Sequence, residues 1–139
     1  MNVLHSVGAL IAVCCACAGL DSRPLRPVEF RIVDAFDAPG DTISFESVQC
    51  DRPTIEPGAT MHARGRFHLD SMPQATLYFG LTNGQLTADS PPQVEAGDGI
   101  FDLVLHVVEP GHPHVSFYAG SGANKCIGKQ RFEIVAGAR

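Results

Sequence analysis

The sequence contains no tryptophan and only two tyrosines, so aromatic side chains for stacking against sugar rings are scarce. Basic residues are also few, because 10 Lys and Arg stand against 15 Asp and Glu and the net charge is −5. Nucleic-acid binding needs a basic surface that replaces phosphate counterions. The composition therefore argues against a nucleic-acid partner.

The signatures of catalysis are missing as well. The chain has no Gly-x-Ser-x-Gly elbow, and Gly120-Ser-Gly122 is not followed by a helix that would receive a phosphate. Nucleophilic catalysis needs a Ser or Cys held by an oriented His, and no such set stands out. The sequence predicts no enzyme, no catalytic residue and no cofactor.

Metal-binding patterns are equally weak. His112 and His114 flank a proline, and no defined ligand spacing connects them to other histidines. Asp34, Asp37 and Asp41 lack the regular spacing of a calcium loop. Loop aspartates commonly accept hydrogen bonds from main-chain amides, so we expect that role for them and no metal site.

The apolar run at the amino terminus is too short for a membrane span. Val7–Val13 is continuous and uncharged, but even with the residues up to Leu20 it falls short of the roughly 20 residues that a span needs. Ala16-Cys17-Ala18 fits a small-x-small cleavage site, although Met1–Ser6 contains no Lys or Arg. We expect a signal peptide over residues 1–18 and an exported protein, with an uncleaved apolar anchor as the alternative.

Cys17 gives the same segment a second interpretation. It resembles the lipid-modified cysteine of bacterial lipoproteins, because Ala16 precedes it and the flexible segment GLDSRPLRP follows. The resemblance implies that a lipid anchors the protein. The exported protein is then expected in the periplasm, in the outer envelope or outside the cell. Residues 19–27 are predicted to form a linker, and residues 28–136 the folded domain.

Two cysteines, Cys50 and Cys126, lie outside the amino-terminal segment. In an exported protein an even pair of cysteines favours a disulfide. We therefore predict a bond between Cys50 and Cys126.

Alternation of apolar and polar side chains is the strongest structural signal. From Met61 to Asp70 it is strict, and the Pro57-Gly58 turn precedes it. A second strand is predicted at Ala75–Thr82 and another from Asp98-Gly99 onward, while 89–97 is predicted as a loop and 112–114 as a turn. No segment has a helical period. About seven short strands separated by turn residues predict an all-β, antiparallel sandwich.

The run Thr42–Cys50 changes faces along its length. Ile43 and Phe45 share one parity, and Val48 and Cys50 the other. A bulge near Ser47 explains the change, and so does a strand that passes from one sheet to the other.

Several of these strands resemble a known family. The segments PTIEPGATMHARGRFHL, AGDGIFDLVLHV, VSFYAGSG and FEIV are similar to bacterial surface immunoglobulin-like domains and to immunoglobulin-plexin-transcription-factor domains. The resemblance implies an immunoglobulin-like β-sandwich that serves adhesion, spacing or binding, with a protein or cell-surface glycan as partner. It implies no catalytic residues.

The outward side chains His62, Arg64, Arg66 and His68 form a basic row, here called the stripe. An anionic carbohydrate or, with His106, a transition metal would fit it. Alternatively, acidic residues on the neighbouring strand neutralise it. Pairing of Thr60–Leu69 with Gly99–Val108, as in an immunoglobulin-like sheet, is expected to place Asp102 near Arg66 and His106 near His62.

Overall fold

The computed structural model describes residues 23–85, 91–120 and 125–135. Within these ranges every regular element is a β-strand, so the predicted all-β antiparallel class is confirmed. None of the described residues forms a helix long and apolar enough to cross a membrane. The predicted signal peptide, Cys17 and the first residues of the predicted linker lie outside the described ranges.

Seven strands form one sheet, which curls into a half-barrel. Their order is β1-β3-β4-β6-β7-β2, and β5 pairs with β4 alone. The strands are β1 (Arg26–Pro27), β2 (Phe30–Asp37), β3 (Thr42–Cys50), β4 (Thr60–Leu81), β5 (Gln93–His106), β6 (Pro113–Ala119) and β7 (Cys126–Ile134).

The long strand β4 connects the two halves of the sheet. Its first half lies between β3 and β5, and its second half pairs with β6. Rings from the two halves meet in the core, where the centroids of Phe67 and Phe117 are 5.7 Å apart and those of Phe45 and Phe132 are 5.0 Å apart. Aromatic pairs at such distances stabilise a core beyond the area they bury.

The alternation predicted the buried face of β4 correctly, because Met61, Ala63, Phe67 and Leu69 are all buried. The strand itself is longer than predicted. The two predicted strands, Thr60–Leu69 and Ala75–Thr82, belong to the single strand β4, which ends at Leu81. A shift in the pairing of β4 with β5, between Leu69 and Gln74, occurs where the sequence suggested a break.

Asp41 bonds to β4 at this shift. Its carboxylate accepts hydrogen bonds from the amides of Asp70 and Ser71 and from Ser71 Oγ. Asp41 therefore accepts hydrogen bonds from main-chain amides as predicted, but the donors lie 29 and 30 residues away in β4 and not in its own loop. Although burial raises the pKa of Asp41, the hydrogen bonds from Ser71 and Asp70 outweigh it, and the pKa lies below its ordinary value.

Other expectations are corrected or confirmed along the chain. The pairing of β3 with β4 shifts between Phe45 and Ser47, which confirms the bulge near Ser47.

The predicted turn at 112–114 is wrong, because Pro113 begins β6 and His114 lies inside it. Proline is tolerated at the first residue of a strand. The predicted loop at 89–97 is wrong from Gln93 onward, where β5 begins.

The last two residues of the predicted linker form the short strand β1. Arg26 pairs with Cys50 and Pro27 with Gln49, so this end of the predicted linker belongs to the sheet. Proline can do this here because β1 is an edge strand.

The predicted disulfide is absent, and both Cys50 and Cys126 are free thiols. Cys50 ends β3, whose neighbours are β1 and β4, whereas Cys126 begins β7, whose neighbours are β6 and β2. The two strands are not adjacent in the sheet. The even number of cysteines gave no information about this placement.

Candidate functional site

The stripe lies on the outward face of β4, between β3 and β5. The expected pairing of β4 with β5 is present, but its register differs from the expected one. Asp102 is opposite Arg64 rather than near Arg66, and His106 is opposite Thr60 rather than near His62. A long connection separates the two strands, so the sequence pattern did not determine their register.

Asp102 contacts two members of the stripe. His62 Nε2 makes a short contact with Asp102 Oδ1, which is an ion pair when the imidazole is protonated. Arg64 Nε lies 3.6 Å from Asp102 Oδ2. The carboxylate thus connects two basic side chains of β4 to β5.

The other two members of the stripe have separate acidic partners. Arg66 Nε donates to Glu46 Oε1 at 2.7 Å, and Glu46 sits at the bulge of β3. His68 Nδ1 is 2.7 Å from Asp98 Oδ1. Sequence reasoning did not identify Glu46 or Asp98 as partners, since the register and the bulge determine both contacts.

His106 does not join the stripe. Its Nδ1 is 3.1 Å from Thr60 Oγ1, at the end of the β4 and β5 pairing. Across the described ranges no group of three His, Cys, Asp or Glu side chains could hold a metal ion. The stripe is therefore a row of ion pairs and hydrogen bonds between strands.

A second feature of this face is aliphatic. Ile100, Val104 and Val108 are 79%, 41% and 68% exposed, and all three project from the outward side of β5 or its continuation. The opposite side carries Phe101, Leu103 and Leu105, which are buried. The sequence alternation predicted both orientations, but it did not show that β5 has a strand on one side only.

A shallow cavity of about 410 Å³ lies where β1 meets the end of β3. Arg23, Arg26 and Arg52 contribute to its wall. Arg52 is held by the carbonyl of Pro57 at 3.2 Å and by Glu56 at 3.4 Å.

One Ser–His contact occurs in β6. His114 Nδ1 is 2.7 Å from Ser116 Oγ, and both residues are buried. Burial, with a contribution from Lys129, lowers the pKa of His114 to about 4. The imidazole is therefore neutral near pH 7 and serves as a buried hydrogen-bonding group.

Comparisons with family models, curated proteins and solved structures gave no match. The contacts and surfaces described above are accordingly the basis for a functional proposal.

Proposed function

We propose that the chain is an exported, non-enzymatic binding module of the bacterial cell envelope that contacts a protein partner through the outer face of β5. The observation that carries this proposal is the exposure of Ile100, Val104 and Val108 along a single strand. Aliphatic side chains left in water on a protein with a well-formed core often mark an interaction surface.

An immunoglobulin-like sandwich is part of the proposal. It is supported by the pairing of β4 with β5 and by the ring contacts between the two halves of the sheet. Domains of this kind present loops and sheet faces to partners, which agrees with a contact through β5.

Export is supported by the apolar segment Val7–Val13 and by the small residues at 16–18. Mass spectrometry of the native amino terminus tests this part. A lipid on Cys17 or a new terminus at Gly19 supports export, whereas an intact Met1 in protein from the cytoplasm contradicts it.

The non-enzymatic role is supported by the burial of Cys50 and of the Ser116–His114 pair. Cys50 is 3% exposed, and burial raises the pKa of its thiol. Ser116 and His114 lie inside β6. A nucleophile needs access to its substrate and an activated form.

The alternative function, binding of an anionic carbohydrate or a transition metal at the stripe, has less support. Each basic side chain of the stripe faces an acidic one from β3 or β5. An anionic ligand would have to compete with Asp102, Glu46 and Asp98.

Site-specific photo-crosslinking in intact cells tests the proposed function. A photoreactive amino acid at position 100 is expected to give a discrete adduct with a protein partner. The matched control is position 29, because Glu29 is also exposed but precedes β2, which pairs with β7 and not with β5. An equal adduct at both positions, or none at position 100, would contradict the proposal.

A further inference from the structure

The main chain of β5 is bonded to a neighbouring strand on one side only. Val107, just beyond its end, donates to the Ala59 carbonyl at 2.8 Å and accepts from the Gly58 amide at 2.9 Å. The pairing with β4 has no shift between Gly97 and His106. Because main-chain groups alternate along a strand, the odd-numbered residues of this stretch bond to β4 and the even-numbered ones face away.

A glutamine side chain identifies the opposite edge of β5. Gln85 Nε2 donates to the His106 carbonyl, and Gln85 Oε1 accepts from the Val108 amide at 3.0 Å. Its amide group thus makes the two hydrogen bonds that a neighbouring strand would make. Gln85 covers this end of the edge.

The described residues leave the central part of the edge uncovered. No strand among the described residues lies beside Asp98–Val104 on the side away from β4. Pro91 and Pro92 precede the strand. Because proline has no main-chain amide hydrogen to donate, they disfavour strand addition at this end. An uncovered edge with exposed aliphatic side chains can accept another strand.

A second copy of the chain fits this edge poorly. Antiparallel pairing centred on Ile100 would place Asp98 opposite Asp102, and pairing centred on Asp102 would place that residue opposite itself. Like charges directly opposite each other are destabilising. Pairing centred on Val104 would require the main-chain groups of His106 and Val108, which Gln85 occupies.

Registers centred on inward-facing residues fit no better. Centring on Phe101 or Leu103 places Asp102 opposite an aliphatic side chain, either Ile100 or Val104. None of these registers places a basic side chain opposite both Asp98 and Asp102.

A different partner would match the edge. Its outward side chains alternate acidic and aliphatic, from Asp98 through Ile100 and Asp102 to Val104. The side chain of Asp98 is 91% exposed. A carboxylate has two oxygens that accept hydrogen bonds, so Asp98 can bind a second cation while Oδ1 remains bonded to His68.

We propose that β5 binds an extended segment of another protein, which adds to the sheet beside Asp98–Val104 and whose outward face alternates basic with aliphatic side chains, so that these recur at every second residue. This inference rests on the proposed function and specifies its partner. Main-chain hydrogen bonds supply affinity in such strand addition, and alternate side chains supply specificity. Gln85 limits how far the added strand extends.

A synthetic peptide tests the inference with the processed full chain. The probe, here called the Lys-Val peptide, is acetyl-Val-Thr-Lys-Thr-Val-Thr-Lys-amide, which in antiparallel pairing places Lys opposite Asp102 and Asp98 and Val opposite Val104 and Ile100. Amide hydrogen exchange is measured at saturation. Exchange is expected to slow at least tenfold at Ile100, Asp102 and Val104, whose amides face the open edge. Phe101 and Leu103 are internal controls, because their amides already face β4.

Two control peptides separate the physical contributions. The same peptide N-methylated at every amide keeps its charges but loses its main-chain donors, and a Glu-Val version reverses the charge. Each control peptide is expected to bind at least tenfold more weakly than the unmodified Lys-Val peptide. Equal affinity of the N-methylated peptide, or binding without protection at Ile100, would overturn strand addition.

A charge-reversal variant tests the acidic residue. Asp98→Lys is expected to weaken binding of the Lys-Val peptide at least fivefold. Glu29→Lys makes the same change in net charge and is expected to leave the affinity for the peptide unchanged. Equal effects would overturn the assigned complementarity. A cellular adduct at position 100 without strand-like protection would leave the proposed function standing, whereas loss of that adduct would remove the proposed function itself.

Discussion

Asp102 shows at the scale of single residues why the stripe needs no ligand to be satisfied. Its carboxylate contacts His62 and Arg64, while Glu46 and Asp98 contact the other two members. Exposed ion pairs of this kind contribute about 0–1 kcal/mol each. The stripe therefore stabilises strand pairing modestly and leaves the adjacent aliphatic side chains as the distinctive feature of the surface.

The two cysteines are expected to react at different rates. Cys126 is half-buried, whereas Cys50 is buried and the pKa of its thiol is raised by that burial. Because the thiolate is the reactive form, iodoacetamide should label Cys126 first in the folded, unreduced chain that begins at residue 19. Intact-mass measurements should show one adduct, and a second only after unfolding.

The Cys126→Ser variant is the control for this labelling. Its folded form should remain unlabelled over the time in which the parent chain takes up one adduct. If the unfolded, unreduced parent chain takes up no label at all, its thiols are joined and the structure is wrong on this point.

At the scale of elements, Gly65 allows three strands to pack together. Phe45 of β3 and Phe101 of β5 pair with it from either side, and their rings meet with centroids 5.7 Å apart. A Cβ at position 65 would overlap the Ser44 carbonyl oxygen and the Phe101 ring. The space above the glycine is therefore occupied by the Phe101 ring and by the main chain of β3.

The variant Gly65→Ala should be destabilised by about 1–3 kcal/mol, the usual cost of overpacking a core. Urea unfolding measures the difference. Arg66→Ala is the matched control in the same strand, because Arg66 is exposed and should change stability by about 0–1 kcal/mol. Equal losses in both variants would show that the rings can move aside.

The alternation of Met61–Leu69 and Phe101–Val107 was enough to predict which side chains are buried, because one face of each strand must leave water. It did not predict that Thr60–Leu81 is one strand. That result depends on Asp41, which is distant in sequence and bonds to the amides of Asp70 and Ser71. A local pattern cannot report such a contact.

At the scale of the whole molecule, the candidate surface follows from the sheet order. The stripe was visible in the sequence because it occupies one strand, whereas the edge is recognised only because β5 pairs with β4 alone among the described strands. The acidic partners of the stripe depend on the register between distant strands and on the bulge of β3. Long-range pairing decided each of these features.

The stability of the whole molecule should depend on pH through His114. Its folded pKa of about 4 lies below the ordinary value of 6.5, since burial and Lys129 disfavour the charged form while a main-chain hydrogen bond at Leu81 favours it. Between these values the unfolded chain binds a proton that the folded chain does not. The free energy of unfolding should therefore fall by about 3 kcal/mol as the pH drops from 6.5 to 4.

Urea unfolding at pH 7 and pH 4.5 measures this loss, and His114→Gln should abolish most of it because glutamine does not titrate. His106→Gln is the control, because it replaces an exposed histidine with the same residue, glutamine. If it removed as much of the loss as His114→Gln does, the assignment to His114 would be wrong. The lowered pKa of Asp41 acts in a separate window, because its stabilisation is present above the ordinary pKa of 3.8 and is lost only as the pH falls further. A pH dependence between 6.5 and 4 that persists in His114→Gln would therefore show that a group other than His114 takes up the proton.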